Sequence, residues 1–295
     1  MLSRIAENVY WVGRYVERAD DTVRLVATQY YGNLQVGSSR DRLLPDDLLA
    51  VLGHPPAGED LSSLRYAVAR CVTAPDNQSS VASCLQAARE NARRGREVLP
   101  LELWEILSDA TRWLEGRADP DELLREVPQW TRAFYGLVDL AMPRTPAWTM
   151  LRLGMLLERA DMTLRVLILA TDTLAGRPVR DPLTVHLWTT ALKACAALDA
   201  SYATTSGFPT RASVGQLLLS DRACPRSVLF CLETMGALAG GEPARRAAEL
   251  AAALAPEAAG ELLERGSDGL QALLAGCGEV HQAIEATYLD LLEAS

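Results

Sequence analysis

Glu17, Arg18, Asp20 and Arg24 crowd into a short segment whose other positions are mostly apolar. The same residue types return at the same spacings as Glu158, Arg159, Asp161 and Arg165, 141 positions further on. Written out, Gly13 to Arg24 and Gly154 to Arg165 agree at seven of 12 positions and share G-x-x-x-E-R-A-D-x-T-x-R. Buried charge is costly unless it is paired, so a charged cluster met twice among apolar residues needs a reason. Three are open. The arginine can clamp a carboxylate, a buried glutamate can act as general base, or the pairs can tie helices together. Glu17 and Glu158 are the candidate catalytic residues. Arg18, Asp20, Arg24, Arg159, Asp161 and Arg165 are candidate binding residues.

Both copies fit a helix. At about 100° per residue, spacings of four, three and four put Gly13, Glu17, Asp20 and Arg24 within an arc of about 60°. Gly154, Glu158, Asp161 and Arg165 repeat that stripe, and an apolar face runs beside each. In the second copy, Leu153, Met155, Leu156, Leu157, Met162, Leu164, Val166 and Leu167 surround the charges on every side. Such a helix is normally buried, which predicts that Glu158, Asp161 and Arg165 lie inside the protein. Asp20 with Arg24, and Asp161 with Arg165, are i,i+4 pairs that answer part of the charge. The glutamate is left over, because Met155 stands where Arg14 stands in the first copy. One turn before it the glycine leaves a gap, suited either to a close-packed helix bringing an arginine or to a bound group.

A third cluster is Arg89-Glu90-Asn91-Ala92-Arg93-Arg94-Gly95-Arg96-Glu97. Arg89 and Arg93 fall on one helical stripe with Arg96, an arginine row able to hold a carboxylate or phosphate. The same residues also suit a solvated face laced with i,i+4 pairs. Pro225-Arg226-Ser227-Val228 reads as a helix start with proline in the first turn.

The elements that must position these residues are helical almost throughout. Helices are expected at Leu2–Tyr31, Leu61–Val72, Ser79–Val98, Leu101–Leu114, Asp121–Leu140, from Pro146 to near Gly176, and at Leu183–Tyr202. Shorter ones follow at Val214–Leu219, Pro225–Leu238, Pro243–Leu254 and Gly269–Leu292, with a short one near Asp46–Leu52 inside a loop-rich stretch. Ala247 to Ala259 is alanine-rich and reads as a surface helix. No run alternates as a strand does. The expectation is an all-α protein, a single large helical bundle over 1–295 built from two related halves, roughly 1–141 and 142–295. Two copies this far apart do not make a solenoid.

Composition excludes several functions. A net charge of −9 and a pI near 5.0 argue against a nucleic-acid binder. No stretch is long and apolar enough to span a membrane, and the charged first residues do not read as a signal peptide. The six cysteines form no C-x-x-C pair and suit free thiols in a reducing cytoplasm. His54, His186 and His281 sit in unrelated contexts, so no metal is expected. No Walker loop or dinucleotide fingerprint is present, so no cofactor is expected either.

The opening Arg4-Ile5-Ala6-Glu7-Asn8-Val9-Tyr10-Trp11-Val12-Gly13-Arg14-Tyr15-Val16-Glu17-Arg18-Ala19 closely resembles the start of the bacterial alpha-E family, helical proteins named for their Glu-Arg motif. The second motif, the Ala88–Arg93 segment with Trp104-Glu105, and Pro225–Val228 also look like that family, so the resemblance spans essentially the whole chain. It implies a neighbour or fusion partner of the circularly permuted ATP-grasp type, and often a transglutaminase-like protein nearby. The function it implies is ATP-dependent peptide or amide-bond chemistry. The ATP-grasp partner would activate a carboxylate while this chain holds an amino-acid or peptide substrate on its Glu-Arg motifs. The alternatives are a stand-alone enzyme using a buried glutamate as base, and a structural scaffold.

Overall fold

The computed structural model describes residues 1–36, 49, 52, 64–176, 178, 181–205, 207–254 and 262–289. Every regular element among them is helical. In chain order these are α1 (Ser3–Val36), α2 (Leu64–Val72), α3 (Val81–Arg94), α4 (Leu101–Leu114), α5 (Pro120–Leu140) and α6 (Pro146–Thr173). They are followed by α7 (Pro182–Ala194), α8 (Leu198–Thr204), α9 (Arg211–Gly215), α10 (Val228–Leu238), α11 (Gly241–Ala252) and α12 (Asp268–Ile284). A π-helical turn continues α9 over Gln216–Ser220, and another continues α12 over Glu285–Leu289. The expected short helix near Asp46–Leu52 and most of the loop around it lie outside the described residues.

Local chemistry explains most boundaries. Asp119 caps α5 by accepting from the Glu122 amide at 3.0 Å, and Pro120 opens the helix where a missing N–H costs nothing. Asp181 and Pro182 begin α7 in the same way. Thr210 and Ser213 form a reciprocal capping box at α9.

Three sequence expectations change. The helix over Leu183–Tyr202 is two helices, because the chain turns at Cys195–Ala197. Ala196 takes the left-handed conformation at φ 49, and the Ala197 amide donates back to the Leu192 carbonyl at 2.8 Å. That helix stop usually carries glycine, so the sequence shows no sign of it. Removing the Cβ strain should help: Ala196→Gly is expected to stabilise the protein by up to about 1 kcal/mol, read by urea unfolding. Second, Pro225 precedes α10 instead of opening it, and Ser227 is the cap, accepting from the Phe230 amide at 3.0 Å. Third, the alanine-rich segment is a surface helix only in part: its described residues close α11, with Ala248, Glu249 and Ala252 exposed and Ala251 buried. Ala247 is fully buried, α11 packs between α10 and α12, and 255–259 lie outside the described residues.

The residues group into two compact units. The first draws on Met1–Leu34, Leu43–Glu158 and Glu285–Ser295, the second on Gln35–Arg42 and Arg159–Ile284. In the first, α3 pairs with α4, α4 with α5, and α2 rests on α3 and α5. Its core includes Val9, Tyr10, Val12, Val16, Leu85, Leu103, Leu107 and Phe134. In the second, α10, α11 and α12 pack in sequence and α7 meets α8 and α9. All six cysteines are buried free thiols.

Candidate functional site

Within the first unit, α1 and the start of α6 cross where each carries its motif glycine. A Cβ on Gly13 would collide with the Leu151 carbonyl oxygen and sit 3.0 Å from the Met155 amide nitrogen. A Cβ on Gly154 would collide with the Tyr10 carbonyl oxygen and sit 3.1 Å from the Arg14 nitrogen. The two contacts mirror one another at the repeat spacing. Backbone thus lies on backbone, and the gap beside each glutamate is filled by the neighbouring helix.

That crossing carries Arg14 and Arg18 to Glu158. Arg14 donates from Nε to Oε2 at 2.5 Å, and Arg18 donates from Nε to Oε1 at 2.6 Å and from Nη2 to Oε2 at 3.1 Å. Arg14 also reaches the Tyr10 hydroxyl at 3.3 Å. Glu158 is 2% exposed, and the Arg14 and Arg18 side chains are 10% and 26% exposed. Desolvating such ions costs several kcal/mol each. Each guanidinium returns on the order of 4 kcal/mol at an effective dielectric near 20, so one carboxylate between two cations is held ionised. Burial pushes the Glu158 carboxyl up, but the charges of Arg14 and Arg18 more than reverse this and leave it below the ordinary carboxylate value. A carboxylate so placed is a poor proton acceptor, and its oxygens are spoken for. Glu158 therefore lacks the raised pKa that a general base working near neutral pH requires. Cys84 lies beside the cluster, where burial pushes its thiol up to about 12 and favours the protonated form.

The other motif residues divide. Glu17 is fully buried, and Asp20 is 1% exposed. Asp20 accepts from Arg24 on its own helix and from the Thr131 hydroxyl of α5 at 2.7 Å, while Arg24 also reaches Asp21 at 3.2 Å. In the second unit Arg159 donates to the Pro225 carbonyl at 3.3 Å, and Thr163 donates to that of Arg226 at 3.2 Å. These bonds hold the turn before α10. Asp161 and Arg165 pair at 2.6 Å, but their side chains are 19% and 38% exposed. The expectation that both lie inside is corrected: the apolar ring around α6 opens on this side. Thr22, the counterpart of Thr163, is fully buried and its hydroxyl finds no partner among the described residues.

The arginine row splits as well. Arg93 grips Glu90 with two bonds of 2.8 and 2.9 Å on an exposed face, and Arg94 reaches the same carboxylate. The hydrogen bonds from Arg93 hold the Glu90 carboxyl down at about 2. Arg89 instead turns to α4, bonding the Ser108 hydroxyl at 3.1 Å with its guanidinium 5.9 Å from the Trp104 ring centre.

One repeated signal escaped the sequence reading. Ser80-Val81-x-x-Cys84-Leu85 is echoed by Ser227-Val228-x-x-Cys231-Leu232. Each serine is buried and caps a helix, accepting at 3.1 Å from Ser83 and at 3.0 Å from Phe230. Each cysteine points its thiol at a carbonyl six residues back, Gln78 at 3.9 Å and Pro225 at 3.8 Å. Each opens a helical hairpin, α3–α4 and α10–α11. The match was open to inspection, but the residues are uncharged and stand out less than the Glu-Arg string.

A family model described as a predicted alpha-helical domain with a conserved ER motif matches residues 1–289. Curated relatives include uncharacterised proteins of Mycobacterium bovis and of two strains of Mycobacterium tuberculosis. Each is 25% identical over 326 residues, a match that covers 98% of this chain and 36% of the relative. The chain thus spans only about a third of the length of those relatives. No solved structure gives a match. No described helix is long and apolar enough to cross a membrane. With helices throughout its described residues and its two Glu-Arg segments meeting at a glycine-lined crossing, the chain belongs to the alpha-E family.

Proposed function

We propose that this chain is a helical, non-ATP-binding partner of a circularly permuted ATP-grasp ligase that makes or modifies peptide or amide bonds. The observation that carries the division of labour is the closed Glu158 cluster, in which the carboxylate is ionised, buried and held by two arginines. A chain whose most conspicuous carboxylate is spent on its own packing acts by positioning and docking, with activation chemistry left to the ligase. In this reading Arg14, Arg18 and Glu158 brace the helices that present a substrate, and the candidate binding residues Arg24, Arg159 and Arg165 serve the same framework. The length of the curated relatives supports the reading, since there the matched segment is one part of a larger polypeptide. Dependence on ATP fits a cytoplasmic setting, and a transglutaminase-like protein is a second candidate partner. The two halves read as copies of one unit, supported by the mirrored glycine contacts and the paired Ser-Val-x-x-Cys-Leu caps.

The test is capture of the ATP-grasp protein encoded beside this chain, followed by ADP release assayed with each protein alone and with both. Co-purification and a rise of about tenfold or more in amino-acid-dependent ADP release are expected only for the pair. No association, and turnover by the ligase that is indifferent to this chain, would sink the proposal.

A further inference from the structure

Outside the Glu158 cluster, a cleft of about 490 Å³ opens between the first turns of α1 and the end of α3, lined by Arg4, Glu7, Asn8, Trp11, Asn91 and Arg94. That volume lies in the range of small-molecule sites, roughly 300–1,000 Å³. Its lining is unusual in what it leaves open. Arg4 and Glu7 stand three apart on one helix, a spacing that favours a pair, yet neither forms an ion pair among the described residues. Asn8, only 8% exposed, spends its amide N–H on the Arg4 carbonyl at 2.6 Å, and Asn91 spends its own on the Ala87 carbonyl at 3.0 Å. Each side chain is thereby fixed to its helix, and neither Oδ1 has a partner among the described residues. Arg94 meets Glu90 through Nε, which leaves its terminal nitrogens. The lining therefore offers acceptors from both helices (Glu7 and two amide oxygens) together with two guanidiniums and the Trp11 ring.

We propose that this cleft binds a zwitterion of the amino-acid type, its ammonium on Glu7 and the Asn8 and Asn91 oxygens and its carboxylate on Arg4 and Arg94. A phosphate or nucleic acid would meet a carboxylate and two further acceptor oxygens, which oppose it. A purely apolar ligand would strip water from five polar groups without replacing a bond. A molecule carrying both signs satisfies both sets, and the Trp11 face takes the carbon skeleton or the ammonium itself. The cleft also reaches the braced crossing, because Trp11 lies 5.9 Å from the Arg14 guanidinium and 5.4 Å from the Tyr15 ring. Binding would then be felt at Trp11 as a change in its fluorescence. This inference deepens the reading above by giving a substrate its seat, but it is measured on this chain alone, so either can fail without the other.

Free L-alanine and L-alanyl-L-alanine have the same paired end groups, and comparing them tells a single amino acid from a peptide. Tryptophan fluorescence of the full chain is titrated with each, then with N-acetyl-L-alanine, L-alaninamide and inorganic phosphate. Saturable binding by at least one of the two zwitterions is expected, weakened about tenfold or more by blocking either end, with phosphate inert. Arg4→Gln and Glu7→Gln, both at exposed positions, should each weaken binding about tenfold while leaving the melting curve unchanged. Trp11→Phe should abolish the signal while calorimetry still detects heat. Absence of saturable binding by either zwitterion overturns the proposal. So does phosphate binding as tight as theirs, or affinity that ignores both end-blocking and the two substitutions.

Discussion

Glu158→Gln is expected to cost roughly 3–5 kcal/mol of folding stability, because it removes the negative charge that Arg14 and Arg18 share and leaves their two guanidiniums around a neutral amide in a mostly buried site. The glutamine keeps the shape and can still accept from one arginine, and Arg18 retains some water, so the lower end of that range is favoured. Arg14→Met should cost less, since Arg18 continues to neutralise the carboxylate. Urea unfolding measures the totals. Hydrogen exchange along α1 and the first half of α6 locates them, which matters in a chain of two units that need not unfold together. The pH dependence has a definite sign. The folded carboxyl titrates below its ordinary value of 4.5. The stability it contributes is complete above that value and is lost as pH falls through the depressed one. The wild-type and Glu158→Gln stability curves should therefore run apart at neutral pH and converge in acid. A variant as stable as wild type at neutral pH would refute the ionic brace.

Gly13→Ala and Gly154→Ala should each destabilise by about 3 kcal/mol or more, against the usual trend. In an exposed helix interior, glycine to alanine gains about 1 kcal/mol. At these two positions the new methyl meets the carbonyl of Leu151 or of Tyr10, and main chain on both sides of the contact cannot swing aside as a side chain would. Overpacking of this kind commonly costs about 1–3 kcal/mol when side chains can yield, and more when they cannot. Gly136 is the matched control. It sits inside α5 with nothing within 4 Å of the added carbon, so Gly136→Ala should be neutral or stabilising. Chemical denaturation of the three variants side by side gives opposite signs if the crossing is as tight as described. Equal responses at Gly13 and Gly136 would dismiss it. Because the helix crossing delivers Arg14 and Arg18 to Glu158, a glycine variant should also lose the acid-dependent part of the stability.

The all-helical class was legible because its signals are local. Apolar positions recurring at 3.6-residue spacing fixed the faces of α1 and α6, and the starts expected at Asp121 and Leu183 fall within one residue of those that Asp119-Pro120 and Asp181-Pro182 set through capping chemistry. The twofold Glu-Arg string also identified the pair of helices that matter. Where a local rule has an exception, the reading failed. Ala196 ends α7 in a conformation that glycine normally marks, and no residue pattern distinguishes it from its neighbours.

What the string could not reveal is which groups answer the charges. The sequence left Glu158 with either a ligand or an arginine from elsewhere, since Met155 removes its local partner and the glycine leaves a gap. The fold chose the arginine, and chose two, because the crossing of α1 on α6 closes the gap with backbone and sets Arg14 and Arg18 against the carboxylate. The sequence placed Asp161 inside and made no claim for Asp20, yet Asp20 is the more buried of the two and accepts from Thr131 of α5, while Asp161 faces partly outward. The cleft between α1 and α3 is likewise a product of packing, since Asn8 and Asn91 are remote in sequence and each looks like an ordinary helix residue in its own segment. Periodicity and capping act over one or two turns and are written in the chain. Burial, pairing and the seat of a ligand depend on which distant surface arrives, and only the tertiary structure decides that.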